Sequence, residues 1–107
     1  MTPPPFFVIV QLWIHQGREA EFEAYERKVV RIMARYGGVI EHAIRTSRAS
    51  HVEANEPFEV HVLRFPSHDL YNAYRNDAER RSLSGERAGI ITNTNTLVGT
   101  SSPTYGS

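Results

Sequence analysis

Hydrophobic and polar positions in the first third of the chain follow two different periods. Residues 6–14, FFVIVQLWI, are rich in β-branched and aromatic side chains and predict a buried strand. One face of this strand is wholly apolar, and the other is mixed: Phe7, Ile9, Gln11 and Trp13. Between residues 17 and 38, apolar side chains recur at three- and four-residue spacing, which predicts an amphipathic helix that ends at two glycines. The helical apolar positions are Phe22, Tyr25, Val29, Met33 and Tyr36.

The middle of the chain predicts two more strands joined by a polar connection. Residues 39–46, VIEHAIRT, form the first of these strands, and residues 47–57 form the connection. One side of the strand is predicted to carry Ile40, His42 and Ile44. The stretch EPFEVHVLRFPS, residues 56–67, predicts the other strand. Pro66 stops it, and Ser67 is a good N-cap for the helix that follows.

The last third of the chain completes a regular order of elements. Residues 77–89 predict a broken helix interrupted near Gly85, and residues 90–99 predict a closing strand. The order is therefore β-α-β-β-α-β, which is typical of the ferredoxin-like α+β fold. That fold has a four-stranded antiparallel sheet with both helices on one face.

The predicted architecture leaves an apolar sheet face without a cover. We expect one domain over residues 1–107, with an ordered core at about 6–99 and a polar tail at 100–107. Because the helices cover only one side of the sheet, the side with Phe7, Ile9 and Trp13 would expose a large apolar patch in a monomer. A homodimer packed through the sheet faces is the simplest way to bury it.

Composition excludes several classes of partner and chemistry. Twelve basic residues balance twelve acidic ones, which argues against nucleic acid or an anionic membrane as partner. The chain has no cysteine, so disulfides, thiol nucleophiles and thiolate metal sites are excluded. The first residues lack a basic segment, and their apolar run is too short to cross a bilayer, so we expect a cytoplasmic protein.

Five sequence elements resemble a known superfamily. They are the opening strand, ARYGG at the end of the first helix, PFEVHVLRFPS, YNAYRND and the closing LVG. Together they resemble the dimeric α/β-barrel superfamily, and within it a family catalogued only as a domain of unknown function. The resemblance implies the ferredoxin-like fold and dimerisation. The superfamily includes cofactor-free monooxygenases, lactone isomerases and haem-degrading enzymes, but the spacing around His68 does not match the haem degraders.

Two polar residues interrupt the apolar row of the third predicted strand. Glu59 and His61 share one face, so the carboxylate can orient the imidazole and make His61 a general base. Alternatively, His61 bonds to the backbone or solvent while Glu59 pairs with an arginine. The sequence leaves open which face meets the helices, because Val60, Val62 and Arg64 form a competing inner row.

Residues on other elements are candidates for ligand binding. Gln11 and Trp13 are suited to bind a flat aromatic ligand, although Trp13 is equally suited to anchor a dimer interface. His42 is either a core group or a neighbour of His61. With Glu59 these two histidines would form a set that metals use, but such sets are common by chance and we predict no metal.

A pocket between the sheet and the helices is the predicted site. Tyr74 faces the sheet from the second helix, where its hydroxyl needs a partner, and Arg87 is suited to hold a carboxylate or enolate. We therefore expect a cofactor-independent enzyme, of monooxygenase or isomerase type, acting on a small aromatic or enolisable metabolite. The alternative is a non-catalytic homodimer that binds a small molecule or has a structural role.

Overall fold

The computed structural model describes residues 4–46, 56–103 and 105–106. Its elements are β1 (Phe6–Ile14), α1 (Glu19–Ala34), β2 (Val39–Arg45), β3 (Glu59–Phe65), α2 (His68–Arg75), α3 (Ala78–Ser82), α4 (Ser84–Ala88) and β4 (Ile91–Gly99). The order of strands and helices is as predicted. Most of the predicted polar connection, residues 47–55, lies outside the described residues.

The four strands form one antiparallel sheet in the order β2-β3-β1-β4. This arrangement confirms the predicted ferredoxin-like α+β fold. The helices cover one side of the sheet, here called the inner face. On β3 the inner face consists of Glu59, His61, Leu63 and Phe65, which are all buried. Since the competing row of Val60, Val62 and Arg64 is only half-buried or exposed, the question left open by the sequence is resolved.

The core lies between the inner face and the helices, because the apolar side of each element is turned toward it. From β1 it takes Val8, Leu12 and Ile14, and from α1 it takes Phe22, Tyr25, Val29, Ile32 and Met33. Tyr71 and Tyr74 of α2 complete the cover over β3. No helix in the described part of the chain is long and apolar enough to cross a membrane.

Irregular pairing of β2 with β3 changes which side chains of β2 share a face. In β2 the register shifts between Ile40 and His42, so that Ile40 pairs with inner-face Leu63 and His42 with outer-face Val62. The prediction that Ile40 and His42 share a side is therefore wrong. Such an irregularity breaks the two-residue alternation on which the prediction depends.

The YGG and FPS elements pack against each other where α1 turns into β2. Gly37 has φ of 75°, a left-handed conformation that ends the helix, and a Cβ there would approach Pro66. At Gly38 a Cβ would collide with the side chains of Phe65 and Met33. Both positions therefore require glycine, for different reasons.

The second helical region is broken near Gly85, as predicted. Ser67 caps α2 by accepting a hydrogen bond from the Leu70 backbone N–H at 3.2 Å. The later break falls at Leu83, between α3 and α4, and Gly85 lies within α4. Arg80 of α3 and Arg87 of α4 both line the same cavity.

Candidate functional site

Glu59 and His61 form a buried hydrogen-bonded pair on the inner face of β3. His61 Nε2 lies 2.6 Å from Glu59 Oε2, and the two residues are only 4% and 8% exposed. Arg45 lies opposite Glu59 in the β2–β3 register, and its Nε donates to Glu59 Oε1 at 2.9 Å. Arg45 also donates to Glu23 of α1 at 3.2 Å. The carboxylate of Glu59 is therefore held between a guanidinium and an imidazole.

This arrangement fixes how the His61 ring is presented. A carboxylate that is paired with Arg45 accepts hydrogen bonds, so Nε2 of His61 is the donor to Glu59, and Nδ1 is the ring nitrogen that does not contact Glu59. Within the described residues, no hydrogen bond to Nδ1 is observed. The sequence suggested either that Glu59 orients His61 or that Glu59 pairs with an arginine. Both contacts are present in the structure.

A cavity of about 100 Å³ lies between the inner face and the helices. Its apolar wall includes Val8, Leu12, Val29, Met33 and Leu63. Its polar wall consists of Tyr25, Glu26, His61, Tyr74, Arg80, Arg87, Thr94 and Thr96. Three predicted site residues, His61, Tyr74 and Arg87, thus lie around one cavity. Their roles in binding or catalysis stay predictions.

Glu26 lines the cavity and was missed by the sequence reasoning. Burial raises the pKa of its carboxyl, and Glu59 adds to this rise, while His61, Arg87 and Arg80 oppose it. No hydrogen bond or ion pair of Glu26 is observed among the described residues. The signal was its spacing, because Glu26 follows Phe22 by four positions and therefore lies on the apolar side of α1. It was hidden among the other acidic residues of that helix.

Two tyrosine hydroxyls in the cavity are kept protonated at neutral pH. Burial raises the pKa of Tyr25 to about 12, with Glu26 adding to the rise and Arg87 opposing it. Burial also raises the pKa of Tyr74, against the effect of Arg80, whose guanidinium lies 4.8 Å from the centre of the Tyr74 ring. Both phenols can therefore donate hydrogen bonds into the cavity.

Two arginines enter the cavity without a carboxylate partner within ion-pair distance in the described part of the chain. Arg87 Nη2 donates to Thr94 Oγ1 at 3.0 Å, and Arg80 Nη1 donates to the carbonyl of Arg75 at 3.1 Å. Arg87 was expected at the site from the sequence, whereas Arg80 was not. A guanidinium has five N–H donors, so each arginine retains unused donors.

The other predicted ligand residues lie on the opposite, outer face of the sheet. Gln11 accepts a hydrogen bond from Asn95 Nδ2 at 2.9 Å, and Trp13 pairs with Asn93 across β1 and β4. His42 is turned outward by the irregularity in β2, so the predicted approach of His42 to His61 is wrong. In the ranges the structure describes, no three histidine, aspartate or glutamate side chains lie close enough to hold a metal ion.

Comparisons with known proteins agree on the fold and leave the activity open. Residues 5–100 match the family model described as Domain of unknown function (DUF1330). No curated protein matches the chain at a significant level. Proteins of the superfamily typically form dimers.

Three solved structures illustrate the range of similar proteins. The cofactor-independent oxygenase SnoaB from Streptomyces nogalater is 13% identical, with a TM-score of 0.70 over 95% of this chain and 97% of that one. RPA0582 from Rhodopseudomonas palustris, a protein of unknown function, is 13% identical, with a TM-score of 0.75 over 94% and 85%. A dabb family protein with a ferredoxin-like fold from Mesorhizobium loti is 10% identical, with a TM-score of 0.68 over 94% and 100%. At these identities, the likeness shows the fold alone.

Proposed function

The chain belongs to the DUF1330 family, a domain of unknown function, and we propose that it is a cofactor-independent enzyme acting on a small enolisable metabolite. One observation carries the proposal: the hydrogen-bonded series Arg45–Glu59–His61 ends at a ring nitrogen without a partner in the described residues, on the wall of a cavity. A base held by a carboxylate at a cavity is the arrangement that proton abstraction requires. The cofactor-independent activity of SnoaB supports such chemistry on this fold.

The proposed reaction begins with removal of a proton from a carbon next to a carbonyl group. The C–H bond breaks, its proton moves to Nδ1 of His61, and its electron pair forms an enolate. Glu59 stabilises the resulting imidazolium through Nε2. The hydroxyls of Tyr25 and Tyr74 donate hydrogen bonds to the enolate oxygen. Return of the proton to a different carbon gives an isomerase, and reaction of the enolate with dioxygen as co-substrate gives an oxygenase.

The size of the cavity supports a small substrate rather than a polycyclic aromatic one. At about 100 Å³, the cavity is smaller than the apolar cavity of about 150 Å³ that admits benzene. Of the two substrate classes expected from the sequence, the enolisable metabolite is therefore the better fit.

Deuterium exchange tests the proposed proton abstraction without knowledge of the natural substrate. A panel of short ketones, keto acids and lactones is incubated with the protein in deuterium oxide, and loss of the α-proton signal is followed by NMR. We expect exchange above the buffer rate for at least one compound, and its loss in His61→Ala. His42→Ala is the matched control, because it removes a histidine from the outer face. Equal rates in wild type and His61→Ala would refute the proposal.

The alternative function is a homodimer without chemistry that binds a small molecule or has a structural role. The small volume of the cavity supports the structural role, since ligand sites usually enclose about 300 Å³ or more. The structural role predicts that no compound in the panel binds or exchanges, and the binding role predicts that a compound shifts the melting temperature without exchange. Exchange that depends on His61 would exclude both roles.

We also propose that residues 1–107 form one dimeric α/β-barrel domain and that two copies pair through the outer face of the sheet. Ile9, Ile44 and Leu97 are exposed on that face. In the register Ile9 pairs with both Leu97 and Val62, so apolar side chains adjoin one another on this face, and a large exposed apolar patch is unusual in a monomer. The tendency of the superfamily to form dimers supports the same conclusion.

A further inference from the structure

The charged groups around the cavity do not balance. The carboxylate of Glu59 is already paired with Arg45, outside the cavity wall. Glu26 is the remaining acidic residue in the described lining, and its burial favours the neutral form. Arg80 and Arg87 bring two guanidinium groups to the cavity, and neither has a carboxylate within ion-pair distance in the described residues. Both arginines are half-buried, and guanidiniums withdrawn from water are normally paired, so the cavity is suited to receive an anion.

We propose that the cavity binds a small carboxylate whose anionic group lies between Arg80 and Arg87. The catalytic part of this inference, that a short-chain keto acid is the substrate class, rests on the proposed function. The binding part, that the cavity holds a carboxylate, does not depend on the proposed function. A carboxylate accepts paired hydrogen bonds from a guanidinium, and both arginines have unused N–H donors.

A cluster of positive charge outside the cavity supports the same conclusion. Arg80 also lines an exterior depression together with Asn72, Arg75, Asn76 and Arg81. Neither Arg75 nor Arg81 has a carboxylate partner within ion-pair distance in the part of the chain that the structure describes. Arg80 thus connects an exposed basic cluster to the cavity, and such a cluster raises the local concentration of anions.

The two tyrosines determine what else the ligand must offer. Their phenol groups are hydrogen-bond donors, because burial raises the pKa of both. They are suited to contact a carbonyl oxygen next to the carboxylate, which a keto acid has and a simple fatty acid lacks. Pyruvate is therefore the appropriate probe, and its neutral methyl ester is the matched comparison.

Calorimetric titration of the wild-type protein with pyruvate, methyl pyruvate and inorganic phosphate tests the proposal. We expect pyruvate to bind more tightly than either of the other two compounds. Arg87→Met and Arg80→Met are each expected to weaken pyruvate binding at least tenfold and to leave methyl pyruvate unaffected. Arg31→Met is the matched control, because it removes an exposed arginine of α1 away from the cavity. Circular dichroism of each variant checks that it is folded.

Three results would overturn the inference: unchanged pyruvate affinity in both arginine variants, tighter binding of phosphate than of pyruvate, or equal binding of pyruvate and its ester. His61→Asn separates this inference from the proposed function. If that variant still binds pyruvate but wild type exchanges no α-proton, the carboxylate site stands and the enzyme proposal fails. If wild type exchanges protons of neutral ketones but does not bind pyruvate, the enzyme proposal stands and the carboxylate site fails.

Discussion

The two faces of the sheet distribute polarity in opposite ways. The inner face, although covered by helices, buries Glu59 and His61 and places Thr94 and Thr96 at a cavity. The outer face, although uncovered in the monomer, exposes the side chains of Ile9, Ile44 and Leu97. A fold selected only for monomer stability would place these groups the other way round. Each face therefore fits one of the proposed partners, a small ligand on the inner side and a second copy on the outer side.

The largest expected effect is on the buried pair. Glu59→Ala removes the carboxylate that satisfies both His61 and Arg45, so we expect the free energy of unfolding to fall by about 3 kcal/mol. Glu21→Ala is the matched control, because Glu21 pairs with Arg18 at an exposed position near the start of α1 and its loss costs less than about 1 kcal/mol. Urea titration at fixed protein concentration measures both. Equal losses would mean that the inner pair is no more important than a surface ion pair.

A charge on the outer face tests the second half of the comparison. Ile9→Lys places an ammonium group in the proposed interface, so we expect the dimer dissociation constant to rise at least about 100-fold, which is about 2.7 kcal/mol. Val30→Lys is the control, because Val30 on α1 is 39% exposed and Ile9 is 38% exposed. Sedimentation velocity over a concentration series measures both. If Val30→Lys dissociated the dimer and Ile9→Lys did not, the dimer interface would lie on the helices and not on the outer face of the sheet.

A glycine substitution tests how tightly the side chains are packed where α1 turns into β2. Gly38→Ala brings a Cβ against Phe65 and Met33, so we expect a loss of about 2 kcal/mol. Gly85→Ala, in α4, meets no atom within 4 Å and is expected to gain about 0.5–1 kcal/mol from helix propensity. Thermal unfolding gives both values. If Gly38→Ala left the free energy of unfolding unchanged, this end of the core would accommodate an added methyl group without loss of stability.

The smallest expected effect concerns Glu26. Its pKa is raised in the folded state above the ordinary value of 4.5, so its ionisation opposes folding. The stability of the wild type relative to Glu26→Gln therefore falls as the pH rises from the pKa of Glu26 in the unfolded protein to its pKa in the folded protein. At higher pH the difference in stability is constant. At neutral pH we expect Glu26→Gln to be more stable by about 1 kcal/mol. Glu19→Gln, an exposed control at the start of α1, is expected to gain nothing.

Urea titrations of Glu26→Gln and the wild type across a pH series would show this difference. A constant difference at every pH would contradict the account, because it would mean that Glu26 titrates alike in the folded and unfolded protein. A loss of stability in Glu26→Gln at neutral pH would also contradict it. In that case ionised Glu26 would be stabilised by Arg80 and Arg87, and the cavity would not have unbalanced positive charge.

The sequence predicted the fold well because its strongest signals are local. The β1 pattern, the spacing of Phe22 and Val29 on α1 and the Ser67 cap each specify one element without reference to the others. The site was predicted in part. Glu59 and His61 were found because polar residues interrupt an apolar strand. Their contact with Arg45 depends on cross-strand register, which alternation alone does not give.

The features that the sequence did not reveal depend on irregular strand pairing and on which of two neighbouring side chains faces the cavity. The register shift after Ile40 turned His42 away from His61, and no residue in VIEHAIR marks it. Arg80, which lines the cavity from α3, stands beside Arg81 in the sequence, and their order alone does not show which of the two faces the cavity. Glu26 alone had a readable signal in its helical spacing.

The most direct test of the central claim, that Glu59 presents His61 to the cavity as a base, is a nitrogen-15 NMR spectrum of the histidine rings. His61→Asn identifies the His61 signals. The account predicts a proton on Nε2, an unprotonated Nδ1 at neutral pH, and a change in the Nδ1 signal on addition of pyruvate. A ring protonated on Nδ1, or a ring that responds to no carbonyl compound in the panel, would contradict it.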